Sequence, residues 1–258
     1  MIKIIHYCWF GHGEKSELIK KCMATWKKYC PDYTFFEWNE DNFDIHCCQY
    51  VEEAYIAKKW AFVSDYCRFW ALKKYGGVYL DTDVELLRSL DDLPDNFVGF
   101  ESKKLVASGL IRGASPNSAI LDLMLQSYHN DVFVAEDGSL NLKTVCERET
   151  QILVDMGLIL NNQKQIVGDT TIYPSSYFSP LDYDTNKLLI SADTYSIHWF
   201  GGSWHNEQEA YCNKLRIRLV KLFPVKVASI IAFICSKIKY EGVIGTFKYV
   251  TKKIKSKN

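Results

Sequence analysis

Apolar residues open the chain almost without a break. IKIIHYCWF, residues 2–10, mixes β-branched and aromatic side chains and runs into Gly11-His12-Gly13, which predicts a strand followed by a glycine loop. The period then changes: Leu18, Ile19, Cys22, Met23 and Trp26 recur at helical spacing behind Ser16, and Pro31 closes the pattern. YTFFEW, residues 33–38, predicts a second strand, and strand, helix, strand at short separations begins a parallel α/β sheet. Residues 51–74 stay helical in character up to Gly76-Gly77, where glycine supplies the positive φ that ends a helix. In this stretch Ala57, Ala61 and Ser64 allow close packing, and Asp65 and Arg68, at i and i+3, share one face. The short apolar run VYL, residues 78–80, then delivers Asp81 and Asp83 to the carboxyl end of the sheet, where open α/β folds bind ligands. Beyond it the pattern loosens. Strands are predicted at 97–100 and near 105–112, helices near 117–128 and 144–156 around a polar loop at 129–142, strand and turn signals at 166–180, and a last strand in YSIHWFGGSWH, residues 195–205.

Charge divides the chain where periodicity does not. Its net charge is zero, yet residues 214–258 carry twelve Lys or Arg against one acid, Glu241, so the tail holds +11 and the first 213 residues −11. We therefore expect a body over residues 1–212 and a basic helical tail over 213–258. The tail repeats apolar residues at 215, 219, 222, 223, 227, 230, 231, 234 and 238, and its uninterrupted apolar stretch is far short of the ~20 residues a bilayer span needs. It reads as an amphipathic segment lying on an anionic membrane surface, since each basic residue adds about 1 kcal/mol of attraction there; the alternative is a helical pair packed on the body with its lysines solvated. No nucleic-acid motif accompanies the charge. Nine cysteines, none spaced C-x-x-C, match neither a zinc site nor a disulfide framework and predict reduced thiols. The opening residues lack a signal-peptide pattern, so a cytoplasmic location is expected.

Two carboxylates at D-x-D spacing, presented at a strand end, can hold Mg²⁺ or Mn²⁺, and such a cation can hold a diphosphate and neutralise the charge that develops as it leaves. A competing chemistry uses the same residues. Phosphatases of the haloacid dehalogenase type place a nucleophilic aspartate at the head of D-x-D-x-[T/V] after an apolar strand, which fits Asp81-Thr82-Asp83-Val84, with Gly168-Asp169 as a later acidic motif.

The context of the pair is longer than either pattern. AKKWAFVSDYCRFWALKKYGGVYLDTDVELLRSLDDL resembles the signature A-x-x-S-D-x-x-R-x-x-x-L-x-x-x-G-G-x-Y-x-D-x-D of glycosyltransferase family 32, whose bacterial members build capsule and lipopolysaccharide and which shares a core with fungal mannosyltransferases and clostridial glucosylating toxins. IIHYCWFG, IYPSSYFSP and HWFGGSW are similar to the family's first and later segments. The resemblance implies an α/β fold of the GT-A nucleotide-sugar transferase type and a metal-dependent reaction that retains anomeric configuration. It implies Asp65, Arg68, Asp81 and Asp83 as the catalytic set. Trp9, Tyr79, Asp65, Arg68, Asp81, Ser203 and Trp204 would bind the nucleotide sugar, and Asp81, Asp83 and His198 would hold Mn²⁺ or Mg²⁺. By the same resemblance the donor is a UDP-sugar and the acceptor a growing polysaccharide or lipid-linked glycan at the inner face of the bacterial cytoplasmic membrane. Residues 150–152 read Thr-Gln-Ile where many relatives carry Thr-Gly-Pro, so the acceptor side is not mapped by motif. Two alternatives stand beside this expectation, a phosphohydrolase using Asp81 and an inactive relative that binds sugar nucleotides without transfer.

Overall fold

The structure is a computed structural model and describes residues 1–106, 110–202 and 207–255, with side chains through residue 245. Along the chain run β1 (Ile4–Cys8), α1 (Glu17–Tyr29), β2 (Thr34–Trp38), α2 (Gln49–Ile56), α3 (Trp60–Tyr75), β3 (Gly77–Leu80), β4 (Val84–Leu86), β5 (Phe97–Gly99) and β6 (Ile111–Ala114). They are followed by α4 (Ala119–His129), α5 (Val145–Asp155), β7 (Gln165–Val167), β8 (Thr170–Tyr173), α6 (Ser175–Phe178), β9 (Ser196–His198), α7 (Glu207–Leu219) and α8 (Val225–Lys255). Contacts divide the chain into two compact units, residues 1–181 with 189–201, and residues 182–188 with 202–258.

In the first unit, among the described residues, seven strands form one mixed sheet in the order β2-β1-β3-β6-β5-β8-β7. β1, β2, β3, β5 and β8 run one way, and β6 and β7 run against them. The short strands are apolar throughout because the sheet is covered on both faces. Side chains alternate between two cores. Ile5, Tyr7, Val78, Leu80 and Phe97 pack with Trp26 of α1, Phe178 of α6 and Val84 and Leu86 of β4. Cys8, Tyr79 and Val98 point the other way, against Val51, Val63, Phe69, Ile120, Met124 and Leu153 from α2 to α5. This is the GT-A-like, Rossmann-type α/β architecture.

The Gly76-Gly77 pair does two different jobs. Gly76, at φ 65°, caps α3 by donating its N–H to the Leu72 carbonyl at 2.8 Å. Gly77, at φ 100°, lies so close to β1 that a Cβ on it would sit 2.5 Å from the Ile4 carbonyl oxygen. Beneath the pair, His6 is buried and hydrogen-bonds the Gly76 carbonyl through Nε2 at 2.8 Å, while its Nδ1 accepts from the Trp38 indole at 3.2 Å. Burial lowers its pKa to about 4, so the imidazole is neutral at ordinary pH.

Two predicted elements differ from the structure. The helical stretch at 51–74 is two helices, because Lys58 takes a left-handed turn at φ 55° between α2 and α3. The strand expected near 105–112 runs instead over Ile111–Ala114; residues 107–109 lie outside the described residues. The last strand forms where it is predicted and lies outside the main sheet. β9 pairs antiparallel with β4 in a separate two-stranded sheet, with Val84 opposite His198. All nine cysteines are free thiols.

In the second unit α7 and α8 pack on each other. Ser236 Oγ donates to the Gln208 carbonyl at 3.3 Å, and the rings of Tyr211 and Tyr240 lie 6.0 Å apart. Arg216 donates to the carbonyls of Asp184 and Tyr183, both at 2.9 Å. α8 breaks at Gly242, whose φ is 75°. Ala228, Ala232 and Ser236 are buried along one side of α8, whereas Val227, Ile230, Ile234 and Ile238 stand exposed at helical spacing along another. Among the described residues no helix is long and apolar enough to cross a membrane.

Candidate functional site

The D-x-D pair straddles the point where the chain leaves the main sheet. Asp81 follows β3 and its N–H donates to the Leu110 carbonyl at 3.1 Å; the Asp81 carbonyl then receives the Val84 N–H at 3.0 Å as the chain turns into β4. Because β4 pairs with β9, the turn also faces His198. His198 Nε2 lies 3.2 Å from Asp83 Oδ1, and the Gly201 N–H donates to Asp83 Oδ2 at 2.7 Å. One ligand atom from each of Asp81, Asp83 and His198 lies within 4.8 Å of the others. Two hard carboxylate oxygens and one imidazole nitrogen make a donor set suited to Mn²⁺ or Mg²⁺.

Helix α3 supplies the second half of the site. Asp65 and Arg68 are both buried and face the same way, with Arg68 Nη2 2.8 Å from Asp65 Oδ1 and 3.6 Å from Asp81 Oδ1. Arg68 Nε donates to the Ser64 carbonyl at 3.1 Å, and its guanidinium lies 4.5 Å from the centre of the Tyr79 ring. The Tyr79 hydroxyl completes the row by donating to Asp81 Oδ1 at 2.8 Å. One strand and one helix thereby join Asp65, Arg68, Tyr79 and Asp81 through consecutive polar contacts.

Burial sets the protonation of this row, and its charged neighbours oppose or reinforce it. Asp65 is pushed up to about 6 by burial, against the pull of Arg68. Burial also raises the Asp81 carboxyl, which Arg68 holds back and Asp83 raises further. At Asp83 burial is outweighed by the His198 imidazolium and the Gly201 N–H, and the carboxyl stays below the usual carboxylate range. His198 shows the reverse: burial alone would lower it, but Asp83, then Asp81 and Glu101, raise it above the ordinary imidazole range. Its Nδ1 is buried and, among the described residues, has no hydrogen-bond partner. The two carboxylates thus favour positive charge at this point, a demand that a divalent ion fits.

Other residues from the sequence fall as follows. Trp9 comes directly after β1, and since His6 is level with Tyr79 across the β1–β3 pair, it stands on the same sheet edge as Asp81. Its indole N–H donates to the Gly13 carbonyl at 2.6 Å, and Lys15 Nζ lies 5.1 Å from its ring centre. The glycine loop that follows is tight: a Cβ on Gly11 would lie 2.5 Å from the Trp60 indole nitrogen. Ser203 and Trp204 lie outside the described residues. Thr150, from the unmatched acceptor segment, is buried and accepts the Val106 N–H at 2.9 Å. Asp169 is held by Asn96 Nδ2 at 3.1 Å and Ser118 Oγ at 3.0 Å, just before β8. Register places it at the sheet edge opposite Asp81, so it cannot serve as the late acid of a phosphatase built on Asp81.

Sequence reasoning passed over Glu101. It follows β5 as Asp81 follows β3, an acid ending a buried apolar run, FVGF. Burial raises its carboxyl above the ordinary range; His198 opposes the rise and Asp81 adds to it.

Residues 16–98 match the model of a family described as glycosyltransferase sugar-binding region containing DXD motif. The matched stretch holds α3, both glycines and both aspartates of the D-x-D turn. No curated protein sequence matches the chain. Among solved structures, the PaToxG glycosyltransferase is 21% identical over 59% of this chain and 69% of its own, with a TM-score of 0.45. A glycosyltransferase involved in the glycosylation of the major capsid of PBCV-1 is 13% identical over 85% of this chain and 99% of its own, at 0.43. The galactosyltransferase LgtC, solved with donor and acceptor sugar analogs, is 13% identical over 89% of this chain and 95% of its own, at 0.41. Likenesses this remote carry no argument about activity.

The raised His198 gives the site a pH dependence. A metal ligand must be a neutral imidazole, so cation binding expels the His198 proton. Mn²⁺ affinity is predicted to fall as pH drops through the raised range, approaching about tenfold per pH unit. Calorimetry in buffers of different ionisation heat should then detect proton release on ion binding that grows as pH falls. Equal Mn²⁺ affinity across about pH 6 to 8, with no proton release, would contradict the ligand set.

Proposed function

We propose that the protein is a metal-dependent, retaining glycosyltransferase of family 32 that moves a hexose or N-acetylhexosamine from a UDP-sugar to a growing bacterial surface polysaccharide or lipid-linked oligosaccharide. The observation that carries this reading is the meeting of Asp81, Asp83 and His198 within 4.8 Å, beside the buried Asp65–Arg68 pair, in a region matching a DXD sugar-binding family. In this reading residues 1–212 form the catalytic domain and 213–258 the basic tail.

Asp81, Asp83 and His198 would hold Mn²⁺ or Mg²⁺, which would supply the positive charge that a departing diphosphate needs. Arg68 presents a planar fork to donor hydroxyls or phosphate, and Asp65 orients that fork while accepting from sugar hydroxyls. Tyr79 fixes Asp81 through its hydroxyl and supports the guanidinium with its ring. Trp9 offers an aromatic surface for the nucleotide base at the end of β1. The acceptor hydroxyl attacks on the face from which the diphosphate departs and passes its proton to the leaving phosphate oxygen, so the configuration is kept.

The tail serves as the attachment to the inner face of the cytoplasmic membrane. Support comes from the exposed stripe Val227, Ile230, Ile234 and Ile238 and from the exposed lysines 221, 226 and 239 in a segment with a single acid. Purified protein is predicted to sediment with vesicles containing anionic phospholipid and to be released by salt. Equal recovery with uncharged vesicles, or none with either kind, would remove this part of the reading.

A thermal-shift series tests the transferase reading. UDP-sugars with Mn²⁺ are expected to raise the midpoint, whereas the same sugars with EDTA leave it unchanged. A donor at a hundred times its Kd contributes about 2.7 kcal/mol. Asp83→Ala should abolish the Mn²⁺-dependent shift while the variant stays folded. A folded wild type that shifts with no nucleotide sugar would overturn the reading, and donor binding without any transfer or hydrolysis would mark an inactive relative.

A further inference from the structure

The sheet edge that carries Asp81 carries a second acid in a distinct position. β3 and β5 flank β6 and run in the same direction, and Tyr79 and Val98 share Arg112 as their partner across it. Glu101, three residues past Val98, and Asp81, two residues past Tyr79, therefore emerge at the same end. The backbone of Glu101 is fixed: its N–H donates to the Leu105 carbonyl at 2.8 Å, and Phe100 bridges to Val106. Its side chain is partly buried and within electrostatic reach of His198 and Asp81, but it is not among the ligand atoms that cluster within 4.8 Å. Among the described residues the carboxylate has no hydrogen-bond or ion-pair partner.

Stability does not account for such a group, because burying an unpaired carboxylate beside other acids is unfavourable. Position does. Trp9, Asp65 and Arg68 approach Asp81 from β1 and α3, whereas Glu101 approaches from β5, two strands away on the opposite side. If the donor occupies the first side, the second is where an incoming hydroxyl must arrive.

We infer that Glu101 receives the acceptor: its carboxylate accepts a hydrogen bond from the attacking hydroxyl and aims that oxygen at the sugar's anomeric carbon. The inference rests on the transferase reading above. In the step, the hydroxyl oxygen forms the new bond to the anomeric carbon. The bond from that carbon to the diphosphate oxygen breaks, its electron pair leaving with the diphosphate. The hydroxyl proton ends on a departing phosphate oxygen. Glu101 aligns the hydroxyl as a charged acceptor and gains no net proton; the amide oxygen of Gln is a weaker, uncharged acceptor, and its NH₂ group can turn a donor toward the hydroxyl, so Glu101→Gln aligns it poorly.

Water standing in for the acceptor allows a test before the acceptor is identified. Wild type, Glu101→Gln and Glu101→Ala are compared for UDP affinity with Mn²⁺, by calorimetry, and for the rate of UDP release from UDP-glucose, UDP-galactose and the UDP-N-acetylhexosamines. Both variants are expected to bind UDP within about twofold of wild type and to release it from the best donor at least about tenfold more slowly. Rates equal to wild type in both variants overturn the assignment. Loss of UDP affinity in both also overturns it, by putting Glu101 on the donor side. A folded wild type that neither binds UDP with Mn²⁺ nor releases it from any donor overturns the transferase reading first, and this inference with it.

Discussion

The site depends on one unfavourable fact of electrostatics, several carboxylates drawn together in a largely buried place. Burial raises Asp65, Asp81 and Glu101, and only positive partners keep such groups ionised. Arg68 answers for two of them, 2.8 Å from Asp65 and 3.6 Å from Asp81. His198, 3.2 Å from Asp83, answers for that carboxylate and is itself raised by it. Buried ion pairs like these contribute little net stability, since the desolvation of each charge offsets much of the attraction. Their arrangement makes sense as a receptor for a cation and for an anionic ligand, in which a divalent ion would balance the carboxylates.

The fold creates this concentration by register more than by sequence proximity. Three parallel strands, β1, β3 and β5, end at one edge and place Trp9, Asp81 and Glu101 there. The departure of the chain into β4, outside the main sheet, turns Asp83 away from β3 and toward β9, where His198 meets it. Gly77 is what allows β3 to sit against β1 at all, because the Ile4 carbonyl occupies the space of any Cβ there. Packing at one end of a four-residue strand thus fixes the chemistry at the other.

What could be read in the sequence follows the range of the interactions involved. Asp65, Arg68, the glycine cap and the D-x-D turn lie within a short stretch, and their relations are local: a shared helix face, a C-cap, a strand end. Periodicity carries such relations, and the structure places these residues together. His198 could be set beside Asp81 and Asp83 only through the resemblance of its segment, because the contact itself depends on a strand pairing more than a hundred residues apart in the chain. The strand pattern of β9 also could not say which sheet it would join. The break between α2 and α3 left no mark, because its left-handed residue is a lysine and no glycine or proline interrupts the apolar spacing. Glu101 was passed over for a similar reason: one acid after a short apolar run is unremarkable until the topology sets it beside another.

The central claim is that Asp81, Asp83 and His198 together hold the ion that engages the donor diphosphate. Crystals grown with UDP and Mn²⁺, with diffraction measured across the manganese absorption edge, test it directly. The account predicts one anomalous peak bonded to oxygens of both aspartates and to His198 Nε2, with the diphosphate completing its shell. A peak elsewhere on the protein, or bound UDP with no manganese between the aspartates, would contradict it.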